Sequence, residues 1–290
     1  MATPLTADQL LAALRAEGVR VQEHAGWRTN NRNHRGAWGP IHGVMIHHTV
    51  TSGTASSVEL CFNGHSTLPG PLCHGVIAKD GVIHLVGNGR ANHAGSGDGD
   101  VLQAVINEQP LPADNEADTD GNRHFYGFEA INLGDGSDPW PAAQLDAIER
   151  ASAAICRAHG WSHRSVIRHL DWQPGKVDPR GVDWPAMQAR IADRLGSTPT
   201  QPPVQEEPDM TPEQAKQLAT AASQINTVYN ERRLYSWGYK NVNVDPRDVY
   251  GVLTDIDKRV KALEATGLTD AQMTTLADKV ADALARRLAE

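Results

Sequence analysis

Apolar residues recur at spacings of three and four in several stretches of this chain, and that spacing is typical of amphipathic helices. Thr6 is placed to cap the first of these stretches, and Gly160 to end the longest. In the first two-thirds of the chain the pattern predicts helices over residues 7–17, 56–62, 141–159 and 184–195.

A second set of stretches is apolar without helical spacing and is bounded by turn residues, which favours β-strands. These strands are predicted over residues 44–47, 72–77, 82–86, 126–132 and 166–168. Asp80-Gly81, between the second and the third, is a strong hairpin signal. Residues 94–123 are instead dense in Gly, Asp and Asn with few apolar anchors, so we expect a long functional loop or rim there.

The composition of the chain changes after residue 195. Residues 196–212 place five prolines among Ser, Thr, Gln and Glu with almost nothing apolar, which predicts a linker. Residues 213–290 contain neither His nor Cys, and two helical stretches stand out in them, over 249–265 and 270–289. The chain is therefore expected to end in a small all-α region.

Charge and composition exclude several classes of protein. The 290 residues carry a formal net charge of −8, which argues against a nucleic-acid-binding protein and against polybasic attachment to a membrane surface. Residues 1–17 lack the basic and apolar regions of a classical signal peptide, and no run is long enough to span a membrane, so we expect no membrane insertion. Three cysteines cannot make a disulfide framework; Cys61 and Cys73 could pair, but reduced, buried thiols are the favoured interpretation.

Side chains that could bind a metal or catalyse a reaction are most concentrated in residues 168–181, which include His169 and Asp178. Two proline-containing breakers, Pro174-Gly175 and Asp178-Pro179, exclude a continuous helix, so the polar side chains must project from a loop. A loop that holds His169 and Asp178 nine positions apart can fold both onto one ion, but it cannot complete a site alone. The remaining partner is expected upstream.

That partner is expected in the strand that carries His47 and His48. Adjacent residues of a strand point to opposite faces, so only one of the two histidines can face the site. Two imidazoles and one carboxylate suit zinc and leave a fourth position open for water, which is the catalytic pattern. His47, His169 and Asp178 would satisfy it.

Several further segments occur in the order found in one family of enzymes. The region from about residue 36 to 191 resembles the zinc-dependent N-acetylmuramoyl-L-alanine amidases of the type-2 amidase, or peptidoglycan-recognition-protein-like, superfamily, and in particular an actinobacteriophage endolysin. The segments that carry the resemblance are Met45-Ile46-His47-His48-Thr49, Cys73-His74-Gly75-Val76-Ile77-Ala78-Lys79-Asp80-Gly81, Gly89-Arg90-Ala91-Asn92-His93-Ala94-Gly95, Gly127-Phe128-Glu129 and residues 169–181.

The resemblance implies an α/β fold in which a mixed, twisted sheet is flanked by helices. From the resemblance together with the change in composition, we expect a lead-in over residues 1–35, a catalytic domain over 36–195, a linker over 196–212 and a helical region over 213–290. The implied reaction is hydrolysis of the amide between N-acetylmuramic acid and the L-alanine of the peptidoglycan stem peptide. By the same resemblance His47, His169 and Asp178 are ligands of one Zn²⁺.

Amide hydrolysis also needs a carboxylate to move the proton of the attacking water and a cation to face the negative charge of the tetrahedral intermediate. Glu129, set in an otherwise apolar strand and matched by the family's Gly-x-Glu, is the predicted carboxylate. Lys176, two positions before Asp178, is the predicted cation. The alternatives are an ordinary ion pair for Glu129 on a sheet face and a solvated loop lysine for Lys176.

Three further residues are candidates for contact with substrate: His93, Asn92 and Cys73. A structural role for His93 is an equally good interpretation. Cys73 marks a departure from the family, because some members carry a catalytic tyrosine at this place and a thiol is a poor substitute as a donor. A thiol there could also bind zinc.

The helical tail has two open interpretations, cell-wall binding and self-association into a homo-oligomer, and the lack of repeats favours the second. For the whole chain, the alternatives to a bacteriolytic phage enzyme are a non-catalytic peptidoglycan-binding module and a phage tail-associated protein with accessory wall-degrading activity. A lysis enzyme without a signal peptide would stay in the host cytoplasm until it is released to the cell wall.

Overall fold

A computed structural model describes residues 2–199 of the chain. The predicted helices at 249–265 and 270–289, and the linker beyond residue 199, lie outside the described residues. Among residues 2–199, every helix is too short or too polar to cross a lipid bilayer.

The described part contains five α-helices and a six-stranded sheet, numbered here in chain order. The helices are α1 (Ala7–Ala16), α2 (Thr54–Asn63), α3 (Gly99–Ile106), α4 (Ala142–His159) and α5 (Trp184–Leu195). The strands are β1 (Val21–Glu23), β2 (Gly43–His48), β3 (Gly75–Ile77), β4 (Ile83–Leu85), β5 (Phe125–Ala130) and β6 (Val166–Arg168). Two short antiparallel pairs lie outside the sheet, Gly64–His65 with Leu68–Pro69 and Ser96–Gly97 with Thr119–Asp120. Single 3₁₀ turns occupy Asn33–Arg35, Gly121–Arg123, His163–Ser165 and His169–Asp171.

The strand order of the sheet is β1-β4-β3-β5-β2-β6. Neighbouring strands are parallel, except that β3 and β4 form the antiparallel hairpin expected from Asp80-Gly81. The mixed sheet flanked by helices, which the resemblance implied, is therefore confirmed. Since β5, β2 and β6 lie side by side and run in the same direction, their carboxyl ends meet at one edge of the sheet, where open α/β sheets usually bind ligands.

The two faces of the sheet are covered differently. Along β2, Val44 and Ile46 join the large apolar cluster formed with α1, α4 and α5, whereas Met45 belongs to a separate cluster with α3 and Trp172. This alternation is the consequence of the two-residue period of a strand. It puts His47 on the face of Met45 and His48 on the face of the three helices.

The caps expected from the sequence are present at the helix ends. The Thr6 hydroxyl accepts a hydrogen bond from the backbone N–H of Gln9, and Gln9 Oε1 accepts one from the backbone N–H of Thr6, which makes a capping box at the start of α1. Gly160 ends α4 with a positive φ of 74°, a conformation that glycine adopts without steric cost. The four helices predicted in this part of the chain are confirmed, with bounds that differ by up to two residues at each end.

The prediction of a long loop over residues 94–123 is wrong in one respect, because this segment contains α3. Asp98 caps this helix by accepting from the backbone N–H groups of Asp100 and Val101. Val101, Leu102 and Val105 are buried against the sheet face that carries Met45. An eight-residue helix offers barely two turns of periodicity, so the surrounding Gly and Asp residues concealed it.

Packing of α3 can be tested through Leu102, which is 6% exposed. We expect Leu102→Ala to lower the free energy of unfolding by about 2–5 kcal/mol, because burial of the side chain is lost and a cavity is left. Leu68→Ala is the matched control: Leu68 is 41% exposed, and a change there should stay within about 0.5 kcal/mol. Denaturant unfolding of the full chain measures both. Equal values for the two variants would contradict the packing of α3.

Candidate metal centre

Three parallel strands deliver a row of polar side chains to one edge of the sheet. His47 of β2 is the register partner of Glu129 of β5, so their side chains project side by side from the same face. On the other side of β2, Arg168 of β6 pairs with Ile46, and His169 follows directly. Glu129, His47 and His169 therefore lie in a line across β5, β2 and β6.

The loop after β6 brings the fourth polar group, Asp178, back to this row. The backbone N–H of Leu170 donates to the carbonyl of Asp178 at 2.9 Å, which closes the loop on itself. The backbone N–H of Arg180 donates to His48 Nδ1 at 3.1 Å and ties the far end of the loop to β2. His48 thus makes its contact on the opposite face of the strand from His47, as the alternation of side chains requires.

His47, His169 and Asp178 converge on one point. His47 Nδ1 lies 3.0 Å from His169 Nδ1 and 3.1 Å from Asp178 Oδ2, and His169 Nδ1 lies 3.0 Å from Asp178 Oδ2. Within residues 2–199 this is the one group of three or more His, Cys, Asp or Glu residues arranged so that it could hold a metal ion. Both histidines are buried and Asp178 is nearly so.

The cluster combines a neutral imidazole with a charged carboxylate. Burial, and next the neighbouring His169, lower the pKa of His47 to about 4, so this imidazole is neutral at pH 7. Burial alone would raise the pKa of Asp178, but contact with His169 and His47 holds it well below its usual range, so the carboxylate is charged. Nitrogen and oxygen donors in this ratio are those that zinc takes at catalytic sites.

Glu129 lies beside the cluster in an apolar setting. Burial, then Cys61 and Asp178, raise its pKa well above the usual value for a glutamate, and Lys176 opposes them. Its Oε2 atom is shielded from solvent and has no hydrogen-bond partner in the described part of the chain. A buried carboxyl group whose pKa is raised in this way is a candidate for proton transfer.

Lys176 is exposed on the loop and lies two positions before Asp178. Its positive charge acts on both Glu129 and His47, which places the ammonium group within electrostatic range of the cluster. No ion pair holds it among residues 2–199. The lysine is therefore on the solvent-exposed side of the centre.

The three predicted substrate residues lie in different surroundings, and their role in binding stays a prediction. His93 is buried against His47, with His93 Nδ1 3.0 Å from His47 Nε2. Asn92 is half-buried and its amide donates to the carbonyl of Pro69 at 3.2 Å. Cys73 is fully buried against Cys61 and lies outside the cluster of potential ligands found among the described residues. All three cysteines are free and buried, as favoured from the sequence.

Sequence reasoning missed three residues that support the centre. Gln173 Oε1 lies 3.2 Å from His169 Nε2, and its position four residues after the histidine is the signal that could have found it. Asn122 Oδ1 accepts from the backbone N–H groups of His93 and Ala94, both at 2.8 Å. Gly127 leaves room for the His93 ring, because a Cβ there would lie 2.5 Å from His93 Cγ.

A model of the family described as N-acetylmuramoyl-L-alanine amidase matches residues 37–181, half of the chain. This range contains all three residues of the cluster, together with Glu129 and Lys176. The chain belongs to this amidase family. Members of the family act on peptidoglycan. The enzyme class of this chain is therefore that of the peptidoglycan amidases.

Several solved structures are similar to this amidase at low sequence identity. The amidase LysC from Clostridium intestinale URNW is 16% identical, with 59% of this chain and 97% of that chain covered and a TM-score of 0.42. The catalytic domain of XlyA is 20% identical, with coverages of 60% and 99% and a TM-score of 0.40. A selenomethionine derivative of AmpD is 17% identical, with coverages of 60% and 94% and a TM-score of 0.40. A comparison with curated proteins gives no match.

Proposed function

We propose that this amidase is zinc-dependent and hydrolyses the bond between N-acetylmuramic acid and the L-alanine of the stem peptide, with residues 36–195 as the catalytic domain. The observation that carries the proposal is the approach of two imidazole nitrogens and a carboxylate oxygen to within 3.1 Å of one another. His47, His169 and Asp178 would hold the metal. When bound, zinc supplies Lewis acidity, which polarises the scissile carbonyl and lowers the pKa of a water molecule.

Glu129 is the proposed general base and acid. Its place beside His47 on the same sheet face supports this role. It accepts a proton from the attacking water and passes it to the amine of L-alanine as the amide bond breaks. The apolar surroundings that raise its pKa suit both halves of this transfer.

Lys176 is the proposed stabiliser of negative charge. During attack the carbonyl oxygen becomes an oxyanion, and a fixed cation facing that oxygen lowers the barrier. The exposure of Lys176 and the effect of its charge on the pKa of Glu129 support this role. A purely solvated loop lysine would contribute nothing to the rate.

Cleavage and metal dependence are tested together by digestion of purified peptidoglycan with and without a chelator. We expect peptides that begin at L-alanine, detected by mass spectrometry, and loss of the products with chelator. His47→Ala, His169→Ala and Asp178→Ala should each retain less than the one zinc per chain expected of the native protein. New reducing sugar ends would indicate a glycosidase instead, and undiminished digestion after complete metal removal would refute the zinc proposal.

Glu129→Gln tests the proton transfer separately from metal binding. The amide keeps the shape of the side chain but cannot accept the proton, and loss of a general base typically costs about 10²–10⁴ in rate. We expect kcat to fall by this order while the zinc content of the protein, measured by atomic emission, is unchanged. Full activity of the variant would remove Glu129 from the mechanism.

Lys176→Met tests the stabilising cation. Removal of a group that faces the oxyanion typically lowers kcat by about 10²–10³, and we expect a loss of this order. Lys79→Met is the matched control, because Lys79 pairs with Asp138 and does not approach the cluster. Steady-state digestion rates compare the two variants. A similar, small effect of both substitutions would indicate that Lys176 is a solvated lysine without a catalytic role.

For the biological setting we propose lysis of a bacterial host by a phage, a role that is supported by the sequence resemblance to an actinobacteriophage endolysin. Under this proposal the enzyme accumulates in the host cytoplasm until it is released to the wall. A neighbouring gene for a membrane-permeabilising protein would support this role. Neighbouring tail genes would favour the tail-associated alternative.

A further inference from the structure

His93 makes two ring contacts that have no part in the reaction proposed above. Its Nε2 lies 3.0 Å from the carbonyl oxygen of Phe125, and its Nδ1 lies 3.0 Å from His47 Nε2. The ring is buried, so water does not compete for either nitrogen. The first contact decides the second, because a carbonyl oxygen can only accept a hydrogen bond.

The carbonyl of Phe125 determines which ring nitrogen carries the proton, first in His93 and then in His47. His93 Nε2 must carry the proton that is donated to the Phe125 carbonyl, so Nδ1 of the neutral ring is left with a lone pair. That lone pair accepts a hydrogen bond, which requires a proton on His47 Nε2. The remaining nitrogen of the neutral His47 ring, Nδ1, then presents its lone pair toward His169 and Asp178.

Other residues hold His93 in this orientation. Asn122 fixes its backbone through two hydrogen bonds to Oδ1, and Gly127 leaves the space that the ring fills. The His74 ring lies edge-on to it with ring centroids 5.8 Å apart, but makes its hydrogen bonds with Gly89 and Gly127 and not with His93. The orientation of His93 is thus set by its backbone and by the contacts of both ring nitrogens.

We propose that His93 is a positioning residue, which locks His47 in the tautomer that presents Nδ1 to the metal, by relaying a hydrogen bond from His47 to the Phe125 carbonyl. This proposal rests on the metal site of the proposed function. Under this proposal His93 orients the metal ligand His47, whereas the sequence suggested a contact with substrate. Partners that orient a ligating histidine commonly contribute 10- to 100-fold to metal affinity.

A neutral imidazole has a specific advantage in this place. A carboxylate would orient His47 equally well, but it would add a second negative charge to a buried cluster that already contains Asp178. The added charge would reduce the Lewis acidity of a bound cation, since more of the positive charge would be neutralised. A relay through His93 orients the ligand without changing the net charge of the centre.

Three variants of the full chain separate orientation from general stability. His93→Leu removes the acceptor for His47. His93→Asn restores an acceptor, because the amide oxygen of asparagine occupies the place of the imidazole Nδ1. His74→Leu is the matched control, since it removes a neighbouring buried histidine that does not touch His47. Zinc affinity is measured at pH 7.5 by competition with a chromophoric chelator.

We expect His93→Leu to weaken zinc binding 10- to 100-fold, His93→Asn to recover most of this loss, and His74→Leu to bind zinc within about threefold of the native chain. Long-range ¹H–¹⁵N spectra of the metal-free native chain should give the Nε2–H tautomer for His47, and those of His93→Leu a mixture. Equal losses in His74→Leu and His93→Leu, or an Nδ1–H tautomer in the native chain, would overturn the proposal.

The spectra also separate this proposal from the proposed function. A native chain that binds no zinc but has His47 fixed as Nε2–H would refute the metal centre and leave the relay standing. A native chain that binds zinc while His93→Leu keeps both its affinity and a single tautomer would refute the relay and leave the metal centre standing. Where His93→Leu does not fold, the tautomer of His47 in the native chain decides, because Nδ1–H would refute the relay.

Discussion

The structure depends on the close approach of three polar groups that the fold brings together away from solvent. One nitrogen of each of two imidazole rings and one charged carboxylate oxygen lie about 3 Å apart in a place that water hardly reaches. Electrostatic interactions are strong at this distance where the local dielectric constant is low. A cation at their centre would interact favourably with all three atoms at once.

The sheet supplies the rigidity that such a cluster needs. Backbone hydrogen bonds of strands β5 and β2 fix Glu129 and His47, and strand β6 ends directly before His169. Asp178 comes from the loop that follows, and that loop is closed by its own backbone contact and by His48. Most of the cost of ordering the ligands is therefore met by the folding of the sheet, which is the general advantage of sites built on regular elements.

Much of this arrangement could be predicted from the sequence, for identifiable reasons. The breakers around Pro174 and Pro179 identified the loop, the alternation of β2 separated His47 from His48, and an acidic residue in an apolar strand drew attention to Glu129. Helix α3 could not be predicted, because its apolar face is too short to stand out among Gly and Asp. The contacts of Asn122 with the backbone of His93 and Ala94 could not be predicted either, since an amide leaves no periodic signal and these partners are distant in the chain.

The separation of the two sheet faces has a consequence for how this protein can change. The packing against α1, α4 and α5 and the polar row of β5, β2 and β6 use alternate residues of the same strands. Substitutions among the side chains under the three helices can alter thermal tolerance while the opposite surface keeps its arrangement. Thermal stability and catalytic activity thus depend on alternate residues of the same strands. Natural or laboratory selection can therefore act on one property with little effect on the other.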